Sequence, residues 1–190
     1  MSKKNVDTGL GLERTLAILN GYDSLYETSV LKPILEEIMS KSQQDLEKEK
    51  KSFRILTDHL RASVFILGDV NPTIPSNHGR GYVLRRIIRR SFRFCKKLEI
   101  NVEDWINTSN IVIDMYKEYY PELEKNRSFI IKEMEKENER FSKALAKGLF
   151  YLKRMMPEIK KKGKINGETA FLLCISFSPN FLFLCRLVRY

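Results

Sequence analysis

The most chemically suggestive residues of this chain are arginines. In the stretch YVLRRIIRRSFRFCKK, Arg85, Arg86, Arg89, Arg90 and Arg93 recur with Lys96 and Lys97, and no acid interrupts them. At about 100° per residue, Leu84, Ile87, Ile88, Ser91, Phe92 and Cys95 fall on one side of a helix and these cations on the other. Like charges three and four residues apart repel by a few tenths of a kcal/mol per pair. A helix that carries them gains from an outside anion, and the forked guanidinium suits phosphate. Tyr82 lies on the same side and offers a ring to a base or sugar. Two blander readings of this face stay open. One is a solvated surface that keeps the protein soluble. The other is a membrane surface, against which the lack of an exposed aromatic wedge counts.

The preceding segment, NPTIPSNHGRG, holds two prolines, two glycines and two asparagines and must be a loop. Phosphate contacts supply affinity without sequence choice, whereas a polar loop at the start of a basic helix is placed to touch base edges. Asn77 is the natural candidate, because its amide donates and accepts at once. Ser76 and Asn77 fit plain turn and cap chemistry equally well. Should four to six cations reach phosphates, log affinity falls with log salt with a slope of roughly −3 to −5.

The elements that must position these residues read as mainly helical. Asp7 and Thr8 fit an N-cap ahead of Leu12, Leu16 and Leu19, with Gly21 as the stop. A second helix opens near Pro33 and runs through Ile34, Ile38 and Met39 into the charged DLEKEKKS stretch. A third, RILTDHLRASVFILGD, closes at Gly68. One long helix with mixed Glu and Lys is expected from about Pro121 to Met156. LKRMMPEIKKKGKINGE is expected to break it, with Pro157, Gly163 and Gly167 as punctuation.

The 190 residues carry a formal net charge of +10 with 43% hydrophobic content. That describes a globular chain whose surface attracts polyanions. Cys95, Cys174 and Cys185 have no C-x-x-C spacing, and His59 and His78 are too few to complete a zinc site. Reduced structural thiols in a cytoplasmic protein are the expectation. The N-terminal MSKKNVDTGLG lacks the apolar stretch of a signal peptide, and no segment reaches the length of a membrane span.

Two stretches carry a resemblance to a known family. KNVDTGLGLER resembles motif 3 of the class II synthetases in the D-T-G-x-G-L-E-R form of the alanyl-tRNA synthetase family. RILTDHLRASVFILGDVNPTIPSNHGRGYVLRRIIRRSFRF resembles that family's D-H-x-R and P-S-N-x-G-R-G-Y-x-L-R-R-I-I-R-R signature. The resemblance runs, more weakly, from near residue 4 to about residue 173. It implies that Asp7 holds the ammonium group of alanine, that Gly9 and Gly11 leave room for amino acid or nucleotide, and that Arg14 contacts ATP phosphate, with Mg, while alanyl-adenylate forms. Orientation and charge neutralisation are what such a reaction asks of a protein. It further implies that Asn77 and Arg89 lie near the G:U wobble pair of the alanine tRNA acceptor stem, whose amino group faces a wide, shallow minor groove. Arg80, Arg85, Arg86, Arg90 and Arg93 then belong to the same tRNA-binding surface. Asp58, His59 and Arg61 match the D-H-x-R, for which ion pairing inside the helical packing is the preferred reading. Glu168 of NGETAF is placed near the acceptor stem.

The family reading divides the chain into a remnant of the class II α/β catalytic domain over 1–22, a helical tRNA-recognition region over 23–173 and a divergent apolar tail over 174–190. Motifs 1 and 2 have no counterpart here, and neither has the zinc-bearing editing module. The tail, LLCISFSPNFLFLCRLVRY, departs from the family's Y-D-T-Y-G-F-P continuation, as a shifted or truncated reading frame would. Alanine-tRNA ligation is therefore the implied function, with the isolated chain inactive. A non-catalytic basic tRNA-binding module and an inactive truncated fragment are the alternatives. A separately encoded partner that supplies the catalytic part stays open.

Overall fold

A computed structural model describes residues 5, 6, 8–162 and 167. Among them there is helix and turn but no strand, in keeping with a mainly α fold. The chain divides into two compact units, Met1–Glu135 and Lys136–Tyr190.

In the first unit, α1 spans Leu12–Leu19, a 3₁₀ turn follows at Leu25–Glu27, α2 spans Lys32–Ser40 and α3 spans Leu46–Gly68. The basic helix α4 covers Gly79–Lys97, followed by α5 Val102–Asn107, α6 Ser109–Tyr116 and α7 Pro121–Lys125. The last helix, α8, runs over Arg127–Lys162 and continues into the second unit.

α3 is the central element. Phe53, Leu56, Leu60, Val64 and Leu67 recur at helical spacing and are fully buried. α4 lies against α3 and buries Leu84, Ile88, Phe92 and Cys95, the apolar side expected from its sequence. Trp105 of α5 is completely enclosed, with the Phe92 ring edge-on at 6.0 Å. Burial pushes the Cys95 thiol far above its ordinary range, so it stays protonated and inert. Cys174 and Cys185 lie outside the described residues.

Three expected boundaries move. α1 is capped by Gly11, not by Asp7 or Thr8, and Gly21 does end it, in the left-handed region at φ +65°. The charged DLEKEKKS stretch opens α3 and does not close α2, because the Asp45 side chain accepts from the Glu47 N–H and caps it. Pro157 does not break the last helix, which continues to Lys162. A proline without its N–H removes one ladder bond, and its neighbours carry the helix past it.

The expected single helix from Pro121 is instead two, divided at Asn126. The Asn126 side chain donates to the carbonyls of Gly68 and Asp69, at 3.1 and 3.4 Å, where α3 ends. It thus satisfies acceptors that a helix terminus leaves open. Gly68 is needed there, since a Cβ would collide with Leu123 of α7. In the second unit α8 carries exposed pairs such as Lys143 with Glu139, the solvated face expected of it.

Candidate nucleic-acid interface

The loop before α4 folds back onto the helix it feeds. The Ser76 N–H donates to the Gly81 carbonyl at 3.1 Å, and the Ser76 hydroxyl donates to the His78 carbonyl at 2.9 Å. Gly79 turns the chain at φ +55°, which glycine adopts without steric cost. Gly81 is buried, and a Cβ there would collide with the Ile74 carbonyl and the Ser76 hydroxyl. The two glycines of this loop are therefore requirements of its path.

That path holds Asn77 exposed at the head of the basic helix, with its Oδ1 accepting a hydrogen bond from Arg85. A guanidinium can only donate, so the amide oxygen must face Arg85 and the Nδ2 hydrogens face away. The guanidinium centres of Arg85 and Arg86 lie 6.0 and 5.8 Å from the centre of the Tyr82 ring.

The cations of α4 separate into two groups. Arg80, Arg86, Arg90 and Lys96 are exposed and make no ion pair with the described residues. Arg85 and Arg93 are half-buried. Arg89 is only 9% exposed, which corrects the expectation that every cation of the helix faces outward. The apolar side wraps further round α4 than the hydrophobic residues alone mark out. Lys97 also leaves the group, because its ammonium meets Glu49 of α3 at 2.5 Å. Hydrogen bonds from Lys97 and Ser52 hold the Glu49 carboxyl below its ordinary range.

Beside Arg80 lies an open cleft of about 540 Å³, between the end of α3 and the start of α4, with Asp69, Asn71, Thr73 and Val83 among its lining. Asn71 and Thr73 belong to the polar loop expected from the sequence, but the cleft itself was not expected.

Of the D-H-x-R residues, His59 and Arg61 are half-buried and Asp58 is exposed. Tyr26 donates to Asp58 at 2.6 Å, and the Arg54 guanidinium sits 4.9 Å from the centre of the Tyr26 ring. Arg61 pairs with Glu13 of α1 at 2.6 Å. Burial works against the charge on Arg61, but hydrogen bonds to Tyr116 and Glu13 outweigh it and hold the guanidinium above its ordinary range. Among the described residues the buried Nε2 of His59 has no hydrogen-bond partner. Burial and the charge of Arg90 lower its pKa, opposed by Asp58.

At the N-terminus, Arg14 is exposed on α1, and no hydrogen bond or ion pair links it to α4 among the described residues. Gly9 has open space where a Cβ would be, and at Gly11 the nearest atom is the Arg14 Cδ at 3.8 Å. Asp7 and Glu168 lie outside the described residues. Among the described residues no cluster of His, Cys, Asp and Glu could hold a metal ion, and no helix is long and apolar enough to cross a membrane.

This mainly helical chain, with a basic helix behind a polar loop, matches the family model of tRNA synthetases class II (A) over residues 1–178, and it belongs to that family. The match reaches a few residues beyond the stretch over which the motifs and their surroundings resemble it. The chain is 42% identical over 179 residues to the alanine-tRNA ligase of Natranaerobius thermophilus, covering 91% of this chain and 20% of that protein. It is 44% identical over 173 residues to the alanine-tRNA ligase of Treponema pallidum, covering 88% and 29%, and 39% identical over 178 residues to that of Oceanobacillus iheyensis, covering 91% and 20%. Within the class it is a member of the alanyl-tRNA synthetase family, and it spans less than a third of the length of these relatives.

Proposed function

We propose that this chain is the acceptor-stem docking part of an alanine-tRNA ligase, with the outward side of α4 lying against tRNA phosphates and Asn77 at the G:U wobble pair. The observation that carries this reading is the set Arg80, Arg86, Arg90 and Lys96, exposed on the helix that Asn77 heads and facing no acid of the described residues. Cations without an ion-pair partner are what a polyanion neutralises with release of its counterions. Arg89 and Arg93 then act from the edge of this surface, Arg85 lies beside Asn77, and Glu168 adds an acceptor near the stem.

The N-terminal segment contributes motif 3 to the activation of alanine by ATP and Mg, with Asp7 on the ammonium group and Arg14 on phosphate. Gly9 and Gly11 fit this reading, because neither positive φ nor crowding by described residues demands glycine at either place. Asp7 and Arg14 alone cannot form an ATP site, so these 190 residues by themselves make no adenylate. Pyrophosphate exchange above background in the purified chain would overturn that. The working compartment is the cytoplasm, where the tRNA is.

Filter binding of alanine tRNA against a variant without the G:U pair tests the docking role. Preference for the wobble pair supports it. Equal binding reduces the chain to a basic module held by charge alone, and no binding leaves an inactive fragment.

A further inference from the structure

We infer that Arg85 is a positioning residue for Asn77 and makes no phosphate contact of its own, which sets it apart from Arg86 and Arg90 on the same helix. The inference rests on Asn77 facing RNA as proposed above, and it adds how that side chain is held and which of its atoms it offers.

An exposed asparagine rotates freely about two torsions, and a freely rotating amide reads an RNA groove poorly, because its rotamers must be ordered on binding. Asn77 is exposed, yet its Oδ1 accepts from Arg85, two helical turns further on. Arg85 is half-buried, so the donor is itself restrained; the Tyr82 ring, 6.0 Å from its guanidinium and 5.8 Å from that of Arg86, does not distinguish the two. The backbone beneath Asn77 is fixed as well, by Ser76 bonded to His78 and Gly81 and by the turn at Gly79. Backbone and carboxamide are therefore both set before any ligand arrives. Arg86 and Arg90, by contrast, are exposed and make no hydrogen bond with the described residues.

The pairing also decides the chemistry on offer. With Oδ1 turned toward Arg85, Asn77 presents its two Nδ2 hydrogens, so its ligand is an acceptor on a groove edge rather than the guanine amino group. The acceptor that differs between the pairs is the pyrimidine O2, which the wobble displaces from its place in G:C. A single oriented contact of this kind is worth roughly tenfold in discrimination.

The test compares the full chain with Arg85→Gln, Arg85→Lys and Asn77→Ala by two measurements. The first is the heteronuclear NOE of the Asn77 side-chain amide in the protein without RNA. Arg85→Gln should turn a rigid amide into a mobile one, and Arg85→Lys, which keeps the charge without the fork, should loosen it in part while guarding against a fold lost in the glutamine variant. An amide equally rigid in wild type and both variants, or mobile in wild type, overturns the inference whether or not RNA binds. The second is the affinity ratio for acceptor-stem helices with G:U and G:C, together with its salt slope. The expected result is that Arg85→Gln lowers the ratio by about tenfold, as Asn77→Ala does, that the double variant loses no more, and that the slope stays as in wild type. A shallower slope with the ratio intact makes Arg85 a phosphate ligand and overturns the inference. A wild type with a rigid Asn77 amide and no preference for G:U leaves Arg85 as the positioning residue and removes the docking role proposed for Asn77.

Discussion

Arg61 of α3 pairs with Glu13 of α1 at 2.6 Å, and this bridge joins the segment that resembles motif 3 to the helix on which the basic helix α4 packs. Both side chains are about a quarter exposed. A backbone hydrogen bond at its own position, with the hydrogen bond and charge of Arg61, holds the Glu13 carboxyl below its ordinary range despite partial burial. Glu13→Gln should cost about 1 kcal/mol in urea unfolding, near the top of the range for partly exposed pairs. Because the folded pKa is depressed, that difference should be full above the unfolded value of 4.5 and fade as pH falls below it.

Gly81→Ala places a methyl group against the Ile74 carbonyl and Ser76. The loop must move, at a cost of about 1–3 kcal/mol, and Asn77 moves with it. The expected outcome is a lower urea midpoint together with lost preference for the wobble pair. Gly79→Ala should act through its φ of +55° alone, since no atom crowds that position, and should cost about 1 kcal/mol.

Glu99 follows Leu98, the C-cap of α4, at φ 58°, while the Ile100 N–H reaches back to the Cys95 carbonyl at 2.9 Å. This is a helix ending that favours glycine, and it holds instead an anion at the negative end of the helix dipole. Glu99→Gly should raise stability by about 1 kcal/mol and Tm by roughly 2–4 °C. Calorimetry checks it.

His59 supplies a pH test. Its pKa lies below the ordinary 6.5 through burial and the neighbouring Arg90, opposed by Asp58. As pH falls below 6.5, the unfolded chain takes up the proton first, so stability declines from there downward. Glu13, Glu49, Asp114 and Glu124 also shift stability the same way, but only below their unfolded values of 3.8 to 4.5. Between about pH 5 and 6.5 the slope belongs to His59, and His59→Gln should flatten it in urea titrations.

The apolar side of α4 was legible because Leu84, Ile88, Phe92 and Cys95 keep a helical period, and the loop before it because proline and glycine punctuate it. What one helix cannot reveal is what its neighbours bring. Glu49, from the kinked start of α3, takes Lys97, and the packing around α4 takes Arg89 inward. The pairing of Arg85 with Asn77 spans a turn whose path only the three-dimensional fold defines. Pro157 misled for a different reason: a breaker reads strongly in sequence, yet a long helix can absorb the loss of one hydrogen bond. Of the D-H-x-R residues, Arg61 makes the expected ion pair, with Glu13, whereas Asp58 is exposed and accepts a hydrogen bond from Tyr26.

The most direct measurement of the central claim is the salt dependence of alanine tRNA binding for Arg86→Gln, Arg90→Gln and Lys96→Gln combined. Outward cations on tRNA phosphates predict a weaker complex at low salt and a log–log slope shallower by roughly 2–3. Unchanged affinity with an unchanged slope would contradict it.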